Sequence, residues 1–175
     1  MDQNLELCPN KLVAYLKKPA EDFTKADIIK FVKGNGIKML NFRYVGGDGR
    51  LKTLNFVINS MKHLDDILTY GERVDGSSLF TFIEATSSDL YVFPRYKTAF
   101  VNPFEETPTL DILCAFFTSE GKPLEGSPSH IVKKAHDVLK AKTGFTMEAM
   151  GELEYYLFSE VDTIYPIIEQ KGYHE

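Results

Sequence analysis

Ile37-Lys38-Met39-Leu40-Asn41-Phe42-Arg43-Tyr44-Val45, Gly46-Gly47-Asp48-Gly49 and Leu51-Lys52-Thr53-Leu54-Asn55-Phe56-Val57-Ile58 decide the fold class. The two outer runs carry β-branched and aromatic residues in partial alternation, as half-buried strands do. The glycine-rich stretch between them is short enough to turn the chain straight back, so the reading is a β-hairpin. It is not a phosphate-binding loop, because no helix follows it.

Working outward, the flanks read as helices. Asn10 to Lys18 forms a short one, stopped by Pro19. Thr24 caps a second, whose apolar stripe is Ile28, Phe31 and Val32, and Gly34-Asn35-Gly36 ends it. Ser60 caps a third, with Met61, Leu64, Ile67 and Leu68 at helical spacing. Gly71 to Ser88 has no clean periodicity and reads as a long ordered loop, a type of segment that often carries function. Leu90–Phe93, Ala99–Val101 and Leu110–Phe117 read as further strands. Ser127 caps a last helix, with Pro128 at its first position and Gly144 at its end. Phe145 to Ser159 reads as extended and Val161 to Glu175 as mixed. Helix, hairpin, helix and more strands make an α+β sheet with a helix packed on it. The helix–strand unit beginning near Pro123–Pro128 cannot bury a core alone, so it reads as the start of a second domain.

With 175 residues, 43% hydrophobic and 26% charged, the chain has an ordinary globular composition. It can bury roughly 70% of its unfolded surface without staples. A net charge of −5 argues against nucleic acid as the main partner. No apolar run approaches the roughly 20 residues that span a bilayer, so no membrane is expected. Met1-Asp2-Gln3-Asn4 has no basic or apolar leader character, and two cysteines make no disulfide framework. A reducing, cytoplasmic setting is therefore expected. Cys114, inside an apolar run, reads as a buried structural thiol.

Chemistry concentrates in two places. Gly151-Glu152-Leu153-Glu154-Tyr155-Tyr156-Leu157-Phe158 places two carboxylates two positions apart, on one face of the chain if it is extended. Crowded, partly desolvated carboxylates stay ionised at low cost only beside a cation, and hard oxygen donors suit Mg²⁺ or Mn²⁺. The same pattern also suits the solvated face of an amphipathic strand. The second place is Val74-Asp75-Gly76-Ser77-Ser78. Taken alone, Asp75-Gly76 is an ordinary turn, and Asp89 can simply cap another. His63, His130, His136 and His174 lack metal-ligand spacing to one another.

Together these motifs resemble the glutamine synthetases, in particular the prokaryotic class I type. Asp75-Gly76-Ser77-Ser78 is similar to that family's Asp-Gly-Ser-Ser signature. Ser88-Asp89, Asn102-Pro103-Phe104, Pro108-Thr109 and Gly121-Lys122-Pro123 fit its linking pattern. Gly151 to Phe158 resembles its Gly-x-Glu-x-Glu-aromatic strand, and Gly172-Tyr173 the start of a later substrate-side turn. The resemblance implies an α+β fold: a β-grasp-like N-terminal domain followed by the first helix and strand of a truncated catalytic domain. The implied divisions are 1–22, an N-terminal helical extension; 23–122, the β-grasp domain; and 123–175, the beginning of the catalytic domain.

It also implies the ligation of glutamate and ammonia at the expense of ATP, with two divalent metals, in active sites shared between neighbouring subunits of a ring-shaped homo-oligomer. Glu152 is implied as a ligand of the metal near the ATP phosphates, and Glu154 of the metal near glutamate. Asp75 is implied as the carboxylate lent to the adjacent subunit's site, where it binds ammonium and takes its proton. Ser78 is implied as a second contact to ammonium, and Asp89 as a support for the loop that closes on glutamate. Family members are more than twice as long, so this chain alone is expected to be inactive. A γ-glutamyl ligase using another amine, a non-catalytic scaffold or sensor relative, and a free-standing β-grasp interaction module are the competing readings.

Overall fold

The computed structural model describes residues 5 and 7–157. Helix α1 spans Lys11–Leu16, and the Asn10 side chain accepts the Leu12 amide at its start. Helix α2 spans Lys25–Gly34, and Thr24 and Asp27 cap each other's backbone in a complete capping box. Strands β1 (Met39–Val45) and β2 (Leu51–Val57) form the expected antiparallel hairpin, with Met39 opposite Val57 and Val45 opposite Leu51. Helix α3 spans Met61–Tyr70, and the Ser60 hydroxyl accepts from the His63 amide.

The remaining strands are β3 (Glu72–Asp75), β4 (Asp89–Pro94), β5 (Phe100–Val101) and β6 (Thr109–Thr118). The sheet order is β2-β1-β6-β4-β3, and β5 pairs β6 beside that path. β1 and β6 run parallel at the centre, and every other pairing is antiparallel. A parallel pair needs a long crossover, and α3 with β3 to β5 provides it.

The period of two sorts side chains between the faces. Leu40, Phe42, Leu110, Ile112 and Phe116 point into a core shared with Leu12, Ile28, Phe31, Leu64 and Leu68, all at most 2% exposed. On the opposite face Asn41 and Asp111 are buried yet polar. Asn41 donates to the Asp111 carboxylate at 2.9 Å and accepts from Asn55 at 2.8 Å. Asn102 donates to Asp111 at 3.2 Å, and the Arg43 guanidinium lies 3.5 Å from it, so the buried carboxylate is paired and hydrogen-bonded. Nothing in the sequence pattern marked this network.

Three expectations need correction. The Gly71–Ser88 loop contains a strand: β3 pairs β4 from Glu72–Val92 to Asp75–Asp89, although only four residues long. Ser127 precedes helix α4 (Pro128–Thr143), but its hydroxyl donates to the Leu124 carbonyl and makes no cap bond to the helix. No strand forms over residues 145–157, which carry no regular secondary structure and are exposed throughout. A strand needs a neighbouring strand to satisfy its ladder, and none is offered to this segment by the described residues. Phe158, Ser159, the Val161–Glu175 tail and Gly172-Tyr173 lie outside the described residues.

Candidate functional site

Asp75 is the last residue of β3 and stands opposite Asp89, the first of β4. Leu90 and Val92 are buried in the core. Alternation therefore sends Arg73, Asp75, Asp89 and Tyr91 to the face turned away from the core that helices α1 to α3 cover. The candidate residues of the N-terminal region thus gather at one end of the β3–β4 pair.

The Asp75 carboxylate is fixed by its own turn. Its Oδ1 accepts from the Ser77 amide at 3.0 Å and from the Ser77 hydroxyl at 2.7 Å. The Ser77 hydroxyl is the main cause that holds this carboxyl below the usual carboxylate range, with the Ser88 side chain adding to it. Asp75 is therefore an exposed anion at neutral pH, with its side chain already oriented. Sequence reasoning looked to Ser78, whose hydroxyl instead donates to the Asp75 carbonyl at 2.8 Å. Ser77 is the residue it missed. The signal was available in the Asp-x-Ser spacing, since an aspartate side chain commonly bonds the amide two residues on.

The loop behind Asp75 is anchored at three points. The Gly76 amide donates to the Ser88 carbonyl at 2.7 Å and so ties the two ends of the loop together. A Cβ on Gly76 would sit 2.8 Å from that same oxygen. Phe80 is 1% exposed, with its ring edge-on to Phe116 at 5.0 Å. The Gly47 amide, from the β1–β2 turn, donates to the Leu79 carbonyl at 2.9 Å. The hairpin that decides the fold is thus bonded directly to the loop that carries the carboxylate.

Asp89 is engaged at the surface, where Arg73 Nη1 lies 3.3 Å from its carboxylate and both side chains are largely exposed. Screened surface pairs of this kind contribute little to stability. Glu152 and Glu154 are exposed in the segment without secondary structure, and no hydrogen bond or ion pair joins them to Asp75, Ser78 or Asp89 among the described residues. Among the described residues, no group of three or more His, Cys, Asp or Glu side chains is placed to hold a metal. The Glu152–Glu154 pair supplies the right kind of donor for a hard divalent ion but too few donors to complete its shell.

Residues 36–119 match the family described as glutamine synthetase, beta-grasp domain. The chain is 32% identical over 138 residues to a glutamine synthetase of Clostridium saccharobutylicum, an alignment covering 78% of this chain and 30% of that protein. It is 33% identical over 138 residues to a 3-hydroxylaminophenol mutase of Cupriavidus pinatubonensis, covering 78% of this chain and 29% of that protein. In structure it is similar to the Plasmodium falciparum glutamine synthetase, with a TM-score of 0.61 and 18% identity over 71% of this chain and 24% of that one. The chain spans about 30% of the length of the curated relatives it matches. No helix among the described residues is long and apolar enough to cross a membrane.

Proposed function

The chain carries a glutamine synthetase β-grasp domain over residues 36–119, and from that premise we propose that it is the N-terminal region of an ATP- and Mg²⁺- or Mn²⁺-dependent ligase that joins ammonia to glutamate. The observation that supports this most is the Asp75 turn: an exposed, ionised carboxylate, held by Ser77 and braced by buried Phe80. Ammonium is unreactive until it loses a proton, so a fixed carboxylate beside it can both bind it and accept that proton. Asp75 faces solvent at the end of the sheet, a position from which it can complete a site on a neighbouring copy in a ring-shaped homo-oligomer. Ser78 would position the turn through the Asp75 carbonyl and offer a further oxygen to ammonium. Asp89, opposite Asp75 in the ladder, would steady the start of the loop that closes on glutamate.

Glu152 and Glu154 would hold the divalent ions, the first near the ATP phosphates and the second near glutamate, with further ligands from outside the described residues. The metals supply positive charge where negative charge develops on phosphate oxygens. The proposed domain divisions are 1–22, 23–122 and 123–175, and cytoplasmic placement follows the same reading.

The test uses a polypeptide that contains this chain together with the remaining length found in its relatives. Phosphate release from ATP should require glutamate, ammonium and Mg²⁺ or Mn²⁺ together, and this chain alone should release none. Release independent of ammonium would count against the ligase. The 33% identity to the mutase supports a second reading, in which the family scaffold serves a hydroxylamine substrate. Conversion of 3-hydroxylaminophenol without ATP by the same polypeptide would favour it.

A further inference from the structure

Helix α4 has no buried residue, and between it and β6 lies a groove of about 1020 Å³. Its size is that of a pocket for a small organic molecule. Ala115 and Phe117 of β6 form part of its lining. Four cationic side chains line it as well: Arg95 and Lys97, which follow β4, and Lys133 and Lys134 of α4. The carboxylates on the lining are Glu125 and Asp137, and Asp137 is already paired with Lys133. Arg95, Lys97 and Lys134 form no ion pair among the described residues.

This gathering of positive charge runs against the −5 of the whole chain. These four cations are exposed at the groove, and like charges lining one cleft raise the local concentration of an anion. A monocarboxylate would neutralise one of them, whereas a phosphate or diphosphate offers several oxygens to arginine and lysine at once. The apolar wall, with the Phe117 ring, asks for a planar or apolar group on the same molecule.

We propose that the groove between α4 and β6 binds a phosphorylated small molecule of nucleoside-diphosphate size, with its phosphates on the Arg95–Lys97–Lys134 side and its apolar part towards Ala115 and Phe117. None of Asp75, Ser78, Asp89, Glu152 or Glu154 lines the groove, so this site stands or falls apart from the ligase reading.

The test is calorimetry and proton NMR on this chain with ADP, inorganic pyrophosphate, adenosine and a single-stranded oligonucleotide. ADP should bind at least about 10-fold more tightly than adenosine and more tightly than pyrophosphate. It should shift the Phe117 ring resonances and weaken as salt rises. Arg95→Glu with Lys134→Glu should weaken ADP at least about 10-fold, and Ala115→Trp, which fills the groove without changing its charge, should do the same. Lys62→Glu, on the exposed side of α3, should leave the affinity unchanged. No binding of ADP, equal binding of adenosine or pyrophosphate, tighter binding of the oligonucleotide, an unmoved Phe117, or indifference to both groove variants would each overturn the proposal.

Discussion

At position 75 the neighbouring residues fix a carboxylate and leave it exposed. Ser77 occupies one carboxylate oxygen and Ser88 holds Gly76 from behind, so the group is aimed outward. Gly76 shows how closely the turn is packed, since a Cβ there would press on the Ser88 carbonyl and on Leu90 at 2.9 Å. Gly76→Ala should cost about 1–3 kcal/mol in urea unfolding, and an unchanged midpoint would show that the loop yields freely. Cys114 is the opposite case, a side chain with no outlet. Burial pushes its thiol well above the usual range, which suppresses the reactive thiolate. Half-buried Cys8 should react first with an aromatic disulfide, and Cys114 only on unfolding. Cys114 was legible because it sits in an apolar run. The Ser77 contact was missed because family likeness pointed to Ser78, while the local spacing rule pointed to its neighbour. Asp111 was invisible because its partners come from two separate stretches of chain, Asn41 and Arg43 from β1 and Asn102 from the segment after β5.

Among the elements, helix α2 is the most completely specified. Burial opposes ionisation of Asp27, but the Lys18 ammonium at 2.6 Å and the Thr24 hydroxyl and amide outweigh it and hold the carboxyl at about 2, against an ordinary 3.8. A depressed carboxyl contributes its full stability above the ordinary value and loses it as pH falls through the folded value. This contribution should therefore vanish between about pH 4 and about pH 2, and Asp27→Asn should flatten the acid limb of the stability curve in that window. Thr24→Ala should cost about 1 kcal/mol in thermal unfolding. Caps, stripes and the hairpin were readable because each is written within one or two turns of chain. β3 escaped notice because four residues carry too little alternation, and what makes them a strand is the partner β4. The segment from Phe145 failed in the opposite sense: its pattern suits a strand, but pattern alone supplies no neighbour.

At the scale of the molecule, the buried hydrophobic residues of the described chain run from Leu12 to Leu124, and α4 adds none. Replacing residues 145–157, exposed throughout, by a glycine–serine stretch of equal length should therefore leave the thermal midpoint within about 2 °C, and a larger fall would show that this segment supports the core. Beyond the core, Leu153 and Leu157, each 87% exposed, leave an apolar stretch for which the fold described has no cover. Exposure of this kind favours self-association, which sedimentation at rising concentration would detect. Apart from β3, the order of strands and helices as far as α4 was readable from the sequence. The joining of the β1–β2 turn to the Asp75 loop through Gly47 was not, because that bond spans elements remote in sequence.

The most direct measurement is ammonium dependence in the polypeptide extended to the length of its relatives, with Asp75→Asn compared to the unaltered protein at saturating glutamate and ATP. The substitution keeps the acceptor for Ser77 and removes only the charge. Turnover should fall by roughly 100-fold and the ammonium KM should rise, with ATP affinity unchanged; an ammonium response identical to that of the unaltered protein would contradict the role given to this carboxylate.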